Sequence, residues 1–159
     1  MLFRIAQASD IPILLHMEQE LIKAERPFDN DIKTSPCSYY DFDYLLGDAQ
    51  CHVLVAEDDG SVIGMGYVQI KTSKPAHQHD RHGYMGGMYI APAQRGQGLI
   101  TQLIEQLVDW SKEQGVDAFY LDVYSHNMPA IKAYQKLGFQ PCLLAMKLEH
   151  RSPSDQGLQ

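Results

Sequence analysis

The chain has 159 residues, 45% of them apolar and 21% charged, the balance of a single globular domain. Its net charge of −7 and pI of about 5.4 argue against nucleic acid or an anionic membrane as a bulk partner. No apolar run approaches the ~20 residues of a bilayer-spanning helix, and "MLFRIAQASD" lacks the apolar core of a signal peptide, so the expected location is the cytoplasm.

In chain order, "LFRIAQ" alternates as a strand does. Ser9 or Asp10 is placed to cap a helix with Pro12 in its first turn, and Ile11, Leu14, Leu15, Met17, Leu21 and Ile22 recur at helical spacing. Residues 26–36 read as a loop. "SYYDFDYLLGD" (38–48) reads as a short helix ending at Gly47. "CHVLVAE" (51–57) and "VIGMGYVQIK" (62–71) are strands joined at "DDG", a hairpin signal. A polar loop spans 73–83, and "YMGGMYIA" (84–91) is a strand whose paired glycines mark a bulge or a close backbone approach.

The clearest element follows Gly98. Leu99, Ile100, Leu103, Ile104, Leu107 and Val108 form one apolar stripe, and Gly115 stops the helix. "AFYLDVY" (118–124) is a strand. Asn127 caps a helix that carries Pro129, Ala130, Ala133, Tyr134 and Leu137 and stops at Gly138. "FQPCLLAMKLE" (139–149) reads as one or two final strands, and the tail at 150–159 as mobile. The order predicts one domain over 1–149, an α/β fold with a mixed sheet covered by helices on both faces. Cys37, Cys51 and Cys142 have neither disulfide nor zinc spacing and are expected to be reduced and mostly buried.

"QRGQGL" sets two glycines at the start of that clearest helix, where each costs up to ~1 kcal/mol against alanine. A helix start offers backbone N–H groups without intrahelical partners and the positive end of the macrodipole. Strand, glycine turn and apolar helix together make a recipe for a phosphate site. The turn is neither a Walker loop, which needs G-K-[ST], nor the dinucleotide fingerprint, which needs glycine where Thr101 stands. A plain tight turn without ligand is the competing reading.

"MYIAPAQRGQGLITQLIEQL" followed by "LDVYSHNMPAIKAYQKLGF" resembles the GNAT N-acetyltransferase superfamily over roughly Tyr84 to Phe139. The family pattern R-x-x-G-x-[GA] falls on Arg95, Gly98 and Ile100, and departs at the last position. The resemblance implies a mostly antiparallel central sheet splayed at its middle. It implies acetyl-CoA as co-substrate, with no metal. The pyrophosphate would lie on the N–H groups of Arg95, Gly96, Gln97, Gly98, Leu99, Ile100 and Thr101. The pantetheine arm would pair with Met88, Tyr89 and Ile90. Asn127 and Tyr134 would complete the cofactor site.

Acetyl transfer to an amine needs a neutral amine, a donor for the carbonyl oxygen as it gains charge, and a proton for the leaving thiolate. An N–H of Tyr89 or Ile90 suits the second and Tyr134 the third, the catalytic assignment carried over from the resemblance. The base is open among Glu18, Glu20, Glu25, Asp122, Tyr124 and water. "GYMGGMYIA" itself holds neither glutamate nor histidine. His77, His79 and His82 form a loop cluster in which solvent or substrate contact is favoured over metal. "YYDFDY" reads as helix core contacts ahead of an acceptor pocket.

The resulting expectation is an N-acetyltransferase acting by direct attack on a small-molecule or peptide amine, mildly favoured to be cationic. A non-catalytic CoA-binding sensor and a transferase of longer acyl groups are the alternatives. A homodimer is left open.

Overall fold

The computed structural model of the chain describes residues 1–150; residues 151–159 of the expected mobile tail lie outside them. The chain divides into two compact units, Met1–Tyr124 and Ser125 onward. Among the described residues no helix is long and apolar enough to cross a membrane.

In the first unit, strands β1 (Leu2–Ile5), β2 (Cys51–Asp58), β3 (Ser61–Thr72), β4 (Arg81–Ile90) and β5 (Phe119–Leu121) stand in that order in one sheet. The ladders are antiparallel except β4 with β5, which is parallel. Helices α1 (Ile11–Glu25) and α2 (Phe42–Gly47) cover one face, where Leu14, Met17, Phe42 and Leu45 pack with Val55, Met65, Tyr67 and Tyr89. Helix α3 (Leu99–Glu113) covers the other, and Leu99 packs with Ala56, Ile63 and Ile90. The mixed, mostly antiparallel sheet between helices is thus the architecture the sequence predicts.

Local chemistry accounts for the turns. Asp59 (φ 47°) and Gly60 (φ 77°) form the β2–β3 hairpin, both in the left-handed conformation that a two-residue turn of this hand requires. Helix α1 starts after Asp10 with Pro12 in its first turn, but no side chain caps it. The Asp10 carboxylate is instead engaged by the Arg4 guanidinium (2.8 and 3.0 Å) and the Gln7 N–H (2.7 Å). Helix α2 starts only at Phe42, capped by Asp41, because the preceding Tyr39 and Tyr40 amides both donate to Glu18 Oε1 (2.7 Å each).

Two strand boundaries differ from the sequence reading. β4 begins at Arg81 rather than Tyr84, because "RHG" pairs with β3 through Thr72, Lys71 and Ile70. β5 ends at Leu121 rather than Tyr124, because only Gly83–Met85 pair with it. The second unit holds α4 (Met128–Lys136), capped by Asn127 Oδ1 from the Ala130 N–H (3.4 Å) and stopped at Gly138 (φ 99°).

Residues 139–150 form no regular element, contrary to the predicted final strands, and Leu143, Leu144, Met146 and Leu148 are exposed. Alternation becomes a strand only where a neighbour completes the hydrogen bonds. The cysteines are free as expected, but Cys37 and Cys51 are half-buried and Cys142 is exposed.

Candidate functional site

The turn into α3 is an open backbone cradle. Gly96 (φ 81°) and Gly98 (φ 75°) are left-handed, and a Cβ built on either meets nothing within 4 Å. Conformation, not crowding by protein, demands glycine here, and the space above it is clear. No side chain caps α3, and its first backbone bond runs from the Gln102 N–H to Gly98 O (3.2 Å). The amides of Leu99, Ile100 and Thr101 therefore have no intrahelical acceptor.

Arg95 departs from expectation. Its own N–H goes to Pro92 O (3.3 Å), so the free amides begin at Gly96. Its side chain ties the turn back to the strand, donating through Nε to Ile90 O (2.9 Å) with the guanidinium over the Tyr89 ring. Gln97 Nε2 donates to Gln94 Oε1 (3.3 Å). Ile100 packs against the cluster of Ala56, Ile63, Ile90 and Leu99, leaving its amide at the cradle.

Upstream, β4 runs on past its last partner in β5, so Gly86–Ile90 present an edge unpaired on that side. The Ala91 N–H donates to Ile63 O (2.7 Å), so by the period of two Tyr89 faces β3, whereas Met88 and Ile90 turn their N–H groups to the open edge. This narrows the strand donors from Met88, Tyr89 and Ile90 to Met88 and Ile90. The β3–β4 register slips at Tyr67, opposite the paired glycines. A Cβ on Gly86 would sit 2.5 Å from the Tyr67 hydroxyl, and Gly87 (φ 64°) sends its N–H to the Tyr40 hydroxyl (3.2 Å). The glycines thus serve both a bulge and a close approach.

On the α1 side of this edge lie several tyrosines. The Tyr84 hydroxyl donates to Asp122 Oδ2 (3.0 Å), with Lys71 Nζ over its ring (4.6 Å). Tyr40 and Tyr67 meet edge to face. Burial, ahead of the neighbouring phenols and carboxylates, pushes Tyr67 up to about 12 and raises Tyr40 and Tyr84 as well. All three are neutral hydroxyls at physiological pH. The Tyr124 hydroxyl donates to Asp29 Oδ2 (2.6 Å), and both line an open pocket of about 540 Å³ with Asp31, Lys33, Cys37 and Tyr39.

The candidate bases separate by surroundings. Glu18 is fully buried and holds the α1–α2 connection, so it is a clamp rather than a base. Glu20 is half-buried on α1. Glu25 lies beside Tyr39, whose pKa is raised first by burial and then by that carboxylate. Asp122 is exposed at the end of β5 and engaged by Tyr84. "YYDFDY" divides: Phe42 is core, while Tyr39 and Tyr40 face the site.

Sequence reasoning missed that β4 does carry a histidine, His82, because the strand starts three residues earlier than its apolar pattern. It also missed the Tyr84–Asp122 bond, for which a chain separation of 38 gives no signal. Ser73 Oγ bonds Nδ1 of His79 (2.7 Å) and of His82 (2.9 Å), and His79 Nε2 meets the Tyr120 hydroxyl (3.0 Å). No metal-holding cluster of His, Cys, Asp or Glu occurs among the described residues. In the second unit, Asn127 caps α4 and the half-buried Tyr134 ring meets Phe139 edge to face at 5.9 Å.

The sequence profile of the Acetyltransferase (GNAT) family matches residues 17–139. The chain is 36% identical over 62 residues to an uncharacterized N-acetyltransferase, YobR, of Bacillus subtilis, covering 39% of this chain and 25% of that one. It thus spans about a quarter of that relative's length. Among solved structures, a tetramutant of the BH1408 protein of Bacillus halodurans superposes with a TM-score of 0.84 at 22% identity, over 94% of this chain and 100% of that one. The aminoglycoside 6'-N-acetyltransferase AAC(6')-IG of Acinetobacter haemolyticus superposes with a TM-score of 0.73 at 20% identity, over 96% and 99%. At these identities the two superpositions describe the fold.

Proposed function

The chain belongs to the acetyltransferase (GNAT) family, and from that premise we propose that it moves an acetyl group from acetyl-CoA to an amine while both are bound. The observation that carries this reading is the continuous open backbone. The free edge of β4 leads into uncapped amides at the positive end of α3. The cleared space over Gly96 and Gly98 fits a pyrophosphate, and a Cβ at either would enter that space.

Acetyl-CoA supplies an acyl group activated by its sulfur. The protein's part follows from its own groups. Gly96, Gln97, Gly98, Leu99, Ile100 and Thr101 bind phosphate through N–H. Met88 and Ile90 offer N–H donors along the edge, to the peptide-like arm and to the carbonyl oxygen as it gains charge. Tyr134 is the proposed proton donor to the leaving sulfur, since a phenol of pKa about 10 lies close enough to a thiol of about 8.5 for transfer. The N–C bond forms as the C–S bond breaks; the amine sheds a proton and the sulfur gains one.

The acceptor is proposed to be a cationic amine. Asp29 and Asp31 with the rings of Tyr39 and Tyr124 suit an ammonium group at the pocket, and Lys33 on its wall sets the limit of that charge. The test is thiol release from acetyl-CoA across panels of polyamines, amino sugars, amino acids and peptides. Release with a subset of amines, cut at least tenfold in kcat by Tyr134→Phe with acetyl-CoA binding retained, is the expected result. Binding of acetyl-CoA without release to any amine would replace the reading with a sensor.

A further inference from the structure

The mechanism above leaves one cluster unused. Ser73 is 8% exposed at the end of β3, and its N–H donates to Asp80 O (2.8 Å), closing the loop between β3 and β4. Its hydroxyl sits between two imidazoles: Nδ1 of His79 at 2.7 Å and Nδ1 of His82 at 2.9 Å. The other ring nitrogen of His79 meets the Tyr120 hydroxyl at 3.0 Å. Tyr120, His79, Ser73 and His82 therefore form one unbroken hydrogen-bonded chain.

The protons along it can be counted. Ser73 has one hydroxyl hydrogen and meets two Nδ1 atoms, so with both rings neutral one Nδ1 carries hydrogen and the other is bare. Suppose Tyr120 donates to His79 Nε2, His79 Nδ1–H to Ser73, and Ser73 to His82 Nδ1. Each bond then has one donor and one acceptor. Adding a proton to His79 Nε2 keeps this true, because that N–H then donates to the Tyr120 oxygen. Adding one to His82 Nδ1 sets it against the Ser73 hydroxyl hydrogen.

The surroundings agree. Burial first, then His79, Lys71 and His77, lower the pKa of His82. By the count of donors and acceptors the chain has room for one added proton, on His79 Nε2. The groups facing it are Lys71 from β3, His77 from the loop, Tyr84 beside Tyr120 in the β4–β5 register, and Asp122 two residues on. Arg81 turns away to Gln114 O (2.7 Å).

The inner end is well placed. Tyr120 pairs with Tyr84, one position before the last β4–β5 pair, Met85 with Leu121, beyond which β4 has the open edge. By the period of two, Tyr120 shares its face with Asp122, which accepts from Tyr84. Resting on the amine acetylation reading, we propose that the proton shed by the acceptor amine leaves through the Tyr120 hydroxyl to His79. The amine N–H passes to the Tyr120 oxygen as the Tyr120 O–H passes to His79 Nε2. The phenol is restored, and His79 becomes an imidazolium braced by Ser73. Tyr120 is the group that meets the amine; His79 receives the proton, and Ser73 and His82 are positioning residues.

The test is the pH profile of kcat/KM for an accepted amine, from pH 5.5 to about 10, with acetyl-CoA affinity measured in parallel as the check on folding. Wild type is expected to keep substantial activity at neutral pH. Tyr120→Phe and His79→Asn are expected to lose at least tenfold at pH 7 and to recover toward pH 10 with unit slope, as the amine itself becomes neutral at its pKa of about 10.4. Ser73→Ala should shift the acidic limb. His16→Gln, at an exposed position on α1 away from the hydrogen-bonded chain, should leave the profile as in wild type.

Tyr120→Phe removes one oxygen and keeps the ring, so it decides the matter if His79→Asn does not fold. Profiles unmoved by Tyr120→Phe, or lowered equally at every pH, overturn the relay. A wild type that releases no thiol with any amine fails differently: it removes the amine acetylation reading itself.

Discussion

At the residue scale, Glu18 shows how one side chain can organise a site without touching substrate. Its Oε1 accepts two amides at 2.7 Å, and its Oε2 is buried with no hydrogen-bond partner. A charge-assisted bond to a buried amide contributes about 1.5–3 kcal/mol, and an orphaned buried amide costs about 1–3 kcal/mol. Glu18→Leu removes both hydrogen bonds at once and should lower stability by about 3 kcal/mol or more, read from urea unfolding. Glu18→Gln keeps an acceptor oxygen in the same place and should cost markedly less. Equal losses for the two variants would show that the clamp acts by shape alone. Glu18→Leu should also raise the acceptor KM, because Tyr39 and Tyr40 are carried by the amides it releases.

Elements join these residues into a site, and the turn before α3 is the clearest case. The helix is anchored by Leu103 and Leu107, both fully buried, and by Leu99 and Ile104. Ser111 completes the buried stripe by returning its hydroxyl to Leu107 O (2.8 Å). With the helix fixed, the left-handed φ of 75° at Gly98 sets where its free amides point. Gly98→Ala meets no steric contact but must adopt a conformation costing about 1–3 kcal/mol. The expected outcome is a small loss of stability and at least a fivefold weaker Kd for acetyl-CoA by calorimetry. Unchanged affinity would sink the cradle. Gly86→Ala acts differently, because its Cβ meets the buried Tyr67 ring, and overpacking of this kind costs about 1–3 kcal/mol.

At the scale of the molecule, pH response falls to separate groups. Arg4 bridges Glu57 on β2 (2.7 Å) and Asp10 before α1 (2.8 Å), tying the first strand, the second and the first helix together. The hydrogen bond from Arg4 holds the Asp10 carboxyl below its ordinary range. A depressed folded pKa stabilises above the unfolded value of about 3.9, and that stability is lost as pH falls through the folded value. Wild type should therefore lose stability on acidification below about pH 4, measured by urea midpoints, and Asp10→Asn should be less stable at pH 7 with a flatter acid limb. An acid limb of unchanged steepness would place the dependence elsewhere among the carboxylates. The acceptor amine itself titrates at about 10.4, so the acid limb of stability and the alkaline recovery of the relay variants should fall in separate ranges.

The sequence by itself determined what is local. The period of Leu99, Leu103, Ile104 and Leu107 fixed α3, "DDG" fixed a hairpin, and glycines at positive φ fixed the turn and the stop of α4. These follow from the conformational limits of a few adjacent residues, which every copy of the stretch obeys. Even the inward turn of Ile100 follows from its place on the stripe. Only the tertiary structure decided which polar groups meet. Glu18 reaches amides 21 and 22 positions on, Tyr84 reaches Asp122 across 38, and His79 reaches Tyr120 across 41. It also decided that "RHG" joins β4 and that 139–150 forms no strand, because a strand is completed by its neighbour's hydrogen bonds. Polar contacts between distant segments have no period and no spacing rule, and sheet packing alone sets their distances.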